Sequence, residues 1–155
     1  MIDLAVDLLD GEQLMSDADE LAFRQIAPHM LIDNGQVAST AFGPMPSDNY
    51  MPSYSRSSIV TAQDARDWFD QNARSESHGV WGVTVGEVIA ANRYVVDDSE
   101  CPLPPGKVRA PGHCFVDFRG LTRPQRKELQ AQLLMHATER GEIPTVATPQ
   151  DGRIF

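Results

Sequence analysis

Proline decides where regular structure can run in this chain. Residues 43–58 (GPMPSDNYMPSYSRSS) hold three prolines and five serines, and residues 97–112 (DDSECPLPPGKVRAPG) are proline-rich again. Proline has no amide hydrogen to give to a ladder and disfavours helical backbone in the residue before it, so neither stretch suits the interior of a sheet or a helix. The first is expected to be a loop with little regular structure of its own, and the second an excursion outside the sheet. Regular elements must come from the blocks between them. At 155 residues those blocks suffice for one domain, burying roughly 70% of the unfolded surface around a single core.

Within the blocks, hydrophobic periodicity assigns the elements. Residues 2–9 (IDLAVDLL) fit a short amphipathic helix and a strand equally well. Residues 20–27 (ELAFRQIA) read as a strand that Pro28 ends, and Asp33-Asn34-Gly35 is a turn signal leading to a second strand at 36–42 (QVASTAF), a plausible hairpin. A helix is expected over 62–74, with Thr61 as N-cap and Ala62, Ala65, Phe69 and Ala73 on one face. GVWGVTVGEVIA, residues 79–90, is the strongest strand pattern, and its small face (Gly82, Thr84, Gly86) implies close approach by a neighbour. HCFVDF at 113–118 is a further strand. The last helix runs over about 123–140, capped by Thr122, opened by Pro124 and stopped by Gly141, with an extended tail after Pro144. The expected fold is α+β, with a small mixed or antiparallel sheet of about four strands and two packing helices. The expected organisation is an acidic N-terminal segment, 1–20, followed by one α+β domain, 21–155.

Charge narrows the partners. The net charge is −9 and the first twenty residues carry seven acids with no Lys or Arg, an imbalance typical of an exposed or docking segment. Asp17, Asp19 and Glu20 are the part of it nearest the domain. A pI near 4.7 disfavours nonspecific nucleic-acid binding and anionic membrane surfaces, both of which need Lys and Arg. Two cysteines make no disulfide framework, and no leader pattern or run of eighteen apolar residues is present, so a cytoplasmic location is expected.

The strings FRQI (23–26), STAF (39–42), GVWGVTVGE (79–87) and HCFVDF (113–118) together resemble a pattern of short bacterial single-domain proteins to which no activity is attached. The resemblance implies a bacterial protein and transfers no chemistry. The four histidines lack zinc spacing and no paired-cysteine signature occurs, so no metal site is expected. Gly79, Gly82 and Gly86 lie within a strand pattern and form no phosphate cradle, and no GxSxG elbow is present.

Two functional expectations follow. Residues Tyr50, Met51 and Tyr54 in the proline-rich loop are of the types that anchor interfaces, and with the acidic segment they suggest a non-enzymatic accessory or regulatory subunit that binds another protein, in a defence or toxin-related assembly, without a cofactor. Alternatively, Arg24, Ser39, the loop tyrosines and Glu87 occur in an order that resembles ADP-ribosyltransferase-like folds. That resemblance implies an arginine on NAD phosphate, a hydroxyl on the nicotinamide ribose and an acid opposite the developing positive charge. The spacing from Arg24 to Ser39 is short for that family, and Val85 stands where a partner residue of Glu87 is usual.

Overall fold

The computed structural model describes residues 8–45, 50–73 and 75–148. Among them, six strands form one antiparallel sheet: β1 (Gln13–Leu14), β2 (Leu21–Gln25), β3 (Ser53–Arg56), β4 (Val80–Thr84), β5 (Val95–Asp97) and β6 (His113–Val116), in the order β1-β5-β6-β3-β2-β4. The helices are α1 (Ala62–Asn72), α2 (Val85–Ala90) and α3 (Arg123–Arg140), with 3-10 turns at Pro28–Met30 and Ser39–Phe42. The class is therefore α+β. The sheet is wider than the four strands expected because β1, β3 and β5 are short segments beside Pro, Gly or acidic residues.

Side-chain alternation gives the sheet two different faces. Register pairs Ala22 with Val83 and Tyr54 with Cys114, and these residues, with Val95 and Val116, form an inner face. Leu129, Leu133 and Ala137 of α3 and the buried Ala41 and Phe42 of the second 3-10 turn close the core over it. The outer face carries Phe23, paired with Ser55, and Ser53, paired with Phe115. There α1 packs on β2, leaving a trench over β3 and β6.

Several expectations change for physical reasons. The 36–42 strand is absent: Val37 makes a single bridge to Leu31, and the chain turns at Ser39–Phe42 because Arg24 draws in the carbonyls of Ala41 and Gly43. The long 79–90 strand ends at Thr84, whose hydroxyl accepts from the amide of Glu87 while the Glu87 carboxylate accepts from the amide of Thr84. This capping box starts α2 inside an apolar run. The close neighbour of the small face is Ile143, whose Cδ1 would lie 3.0 Å from a Cβ added at Gly82. Residues 43–58 are not all loop, since SYSR forms β3. Residues 2–7 lie outside the described residues.

The acidic segment is partly built into the sheet. Arg119 grips the buried Glu12 with two nitrogens at 3.0 and 3.1 Å. Arg56 grips the buried Glu20 at 2.8 and 3.0 Å and reaches Asp97 at 2.6 Å. Hydrogen bonds from Arg56, then from Ser58, hold the Glu20 carboxyl below its ordinary range. Burial pushes Asp97 upward, but hydrogen bonds from Ser99 and Arg56 outweigh it and the net direction is down. A carboxyl lowered in the folded state adds stability above its unfolded pKa and loses it as pH falls through the folded value. Urea midpoints are expected to be level from neutral pH to about pH 5 and to fall below about pH 4. Arg56→Met should flatten that acid limb; an equally steep limb in the variant contradicts the assignment.

Candidate functional site

Strand pairing brings together three polar side chains that are far apart in sequence. Ser55 lies opposite His113 and Ser53 opposite Phe115, so the His113 ring on β6 stands diagonally across from Ser53 on the outer face. Its Nε2 is 2.9 Å from Ser53 Oγ. Asp97 pairs with Cys114, so Asp98, the next residue, emerges beside the same ring, and its Oδ1 is 2.7 Å from His113 Nδ1. An ionised carboxylate only accepts, so Nδ1 carries a proton, and in the neutral imidazole the Nε2 lone pair then faces the serine hydroxyl. The order is a hydrogen-bonded Ser53–His113–Asp98 relay. Ser53 is exposed, and His113 and Asp98 are partly buried.

Both ends of the relay are braced. Arg109 lies 3.8 Å from Asp98 Oδ1, and donates to the carbonyls of Ser99 at 3.2 Å and Cys101 at 2.9 Å, folding the strap 98–112 on itself. At the other end, the buried Arg24 reaches from the inner face and donates to the Ser53 carbonyl at 2.8 Å. The peptide bearing the serine is thus tied to the same cation that shapes the 39–43 turn.

The relay lines a groove of about 400 Å³ between α1 and the strap. Phe23, Trp68 and Phe69 line it from β2 and α1, and Leu103 and Val108 from the strap. Its volume and mostly apolar walls with a few convergent polar groups are those of a small-molecule site.

The residues singled out from sequence are distributed otherwise. Tyr54 is 2% exposed, its hydroxyl donates to the Phe42 carbonyl at 3.3 Å, and burial raises its pKa, so it belongs to the core and offers no partner contact. Glu20 is likewise buried against Arg56. Tyr50 is half exposed, with φ of 63° and its ring 5.3 Å beneath the Arg126 guanidinium. Met51 is partly buried, and Asp17 and Asp19 are exposed. Arg24, Ser39 and Glu87 do not converge on one groove. Arg24 is 6% exposed and committed to three carbonyls, Ser39 opens the second 3-10 turn, and Glu87 is bound to Arg140 at 2.9 Å and lies 3.3 Å from His136. The Arg24 guanidinium thus gives three of its five N–H donors to backbone carbonyls.

Sequence reasoning missed Ser53, Asp98 and His113 as a group. Among the described residues, no group of three or more His, Cys, Asp and Glu could hold a metal ion, and no helix is long and apolar enough to cross a membrane. No family model, curated protein or solved structure matches the chain.

Proposed function

We propose that this protein is a serine-dependent acyl-transfer enzyme, hydrolysing its substrate through Ser53, His113 and Asp98. The observation that carries the reading is the relay itself: two hydrogen bonds of 2.9 and 2.7 Å linking an exposed serine through an imidazole to a carboxylate, at the edge of an apolar groove. A serine hydroxyl is a weak nucleophile until an adjacent base takes its proton, and the base works best when a third group fixes its tautomer.

In this scheme Ser53 Oγ attacks the substrate carbonyl carbon as its proton passes to His113 Nε2. Asp98 stabilises the resulting imidazolium through Nδ1–H. The bond from carbonyl carbon to leaving group breaks, and His113 returns the proton to the departing atom. Water then attacks the Ser53 ester, giving its proton to Nε2, and the acid leaves as Ser53 Oγ is reprotonated. Each step uses only water as co-reactant.

The test is labelling with a fluorophosphonate, which phosphonylates activated serines. Stoichiometric modification is expected at Ser53, located by peptide mass spectrometry, and none in Ser53→Ala. Labelling of the wild type no faster than that of Ser58, an exposed serine outside the groove, contradicts the reading.

A second reading keeps the accessory subunit that binds another protein. Its support is the accessible pair Asp17 and Asp19 together with Tyr50, whose ring is held on Arg126 in a left-handed backbone position. Under it, near-native affinity capture recovers a stoichiometric partner that Tyr50→Ala weakens, and Ser53→Ala leaves that complex unchanged. Unaltered capture by a protein lacking Asp17, Asp19 and Tyr50 rules out this surface.

A further inference from the structure

We infer that the groove selects a neutral carboxylic ester whose acyl group bears an apolar chain; this rests on the serine reading above. The apolar walls account for the neutrality. Phe23, Trp68, Phe69, Leu103 and Val108 line the groove, and a charge carried on the acyl chain would lie against them and lose its hydration.

The topology argues against an extended peptide. Recognition of a peptide as an added strand needs a free sheet edge, whereas β3 and β6 are interior strands, each paired on both sides. What remains is apolar surface. On the strap, Val108 is 77% and Leu103 43% exposed, facing the same groove as Trp68 and Phe69. A chain laid between strap and α1 would cover both aliphatic residues. A chain on the acyl side stays in the groove through acylation and deacylation, while the alcohol departs after the first step. Its contacts can therefore assist both steps.

Each buried methylene is worth roughly a fourfold gain in kcat/KM. Across p-nitrophenyl acetate, butyrate and hexanoate, the wild-type protein is expected to show a stepwise rise of about that size per methylene. The monoester of succinate should be slower than butyrate. Val108→Ser, which alters the strap wall and none of the relay, is expected to lower turnover of hexanoate several-fold more than that of acetate. Ser53 acylation with acetate as good as hexanoate, or with succinate favoured over butyrate, overturns the inference and leaves the serine chemistry standing. If neither the esters nor the fluorophosphonate modify Ser53, the serine reading fails and the inference fails with it. A chain-length dependence that Val108→Ser does not alter overturns the placement of the chain against the strap.

Discussion

His113→Gln is expected to slow phosphonylation of Ser53 by about a thousand-fold or more, the order of loss when a triad base is removed. Glutamine can hold a hydrogen bond in the trench but cannot accept the serine proton and return it to a leaving group. The stability change should stay within about 1 kcal/mol, since His113 is only partly buried and the ladder through β6 uses backbone atoms. Asp98→Asn should also be slow, because an amide favours the wrong imidazole tautomer. Labelling rates and urea midpoints measured on the same preparations separate chemistry from folding. A His113→Gln variant that labels as fast as wild type, with an unchanged midpoint, would reduce the relay to a surface hydrogen-bond chain.

The largest stability effect is expected at Arg24. Its side chain lies on the inner face with Tyr54, the guanidinium 5.4 Å from the ring centroid, and donates to Ala41 at 2.7 Å, Ser53 at 2.8 Å and Gly43 at 3.4 Å. Arg24→Met keeps much of the apolar stem and removes every donor. Buried carbonyls left without partners cost about 1 to 3 kcal/mol each, so a loss of about 3 to 5 kcal/mol is expected even with some repacking. Against a usual total of about 5 to 15 kcal/mol, this is a large fraction. Because the Ser53 carbonyl is released as well, the folded fraction should label more slowly than wild type. A urea midpoint corresponding to less than about 1 kcal/mol of loss would show that the turn at 39–43 holds without its cation.

The elements that could be read from sequence are those whose ends carry chemical signals. Thr122, Pro124 and Gly141 bound α3 from both sides, and the observed helix spans Arg123–Arg140. Thr61 likewise fixes the start of α1. The misread of 79–90 had a local signal that was available, because Thr84-x-x-Glu87 is a capping box, but the apolar run around it overrode the four-residue cue. At 39–42 the deciding partner is Arg24, fifteen or more positions away, and no local pattern reports it. β3 was hidden by the prolines around it, although Ser53, Tyr54, Ser55 and Arg56 alternate as a strand should.

The relay was less legible still. Ser53 lies in a stretch that reads as loop, Asp98 in a proline-rich excursion, and His113 is one of four histidines without metal-ligand spacing. The three meet through the β3–β6 and β5–β6 registers, across sixty residues for the serine and histidine. Spacing rules describe helices and tight turns, whereas a site built across strands acquires its geometry only when the sheet order is known.

The strap has a consequence for how such a protein can change over generations. It leaves β5 with Asp98 already in place and returns at His113, so both reactive contributions sit at its fixed roots, while Leu103 and Val108 ride on its exposed middle. Insertions, deletions or substitutions there alter what the groove admits without touching the strand pairings that align proton donor and acceptor. Loops tolerate such change far more readily than the elements that anchor them. Under the serine reading, selectivity and reactivity are thereby separately heritable, and a lineage can diversify its substrates by rewriting a few residues of one loop.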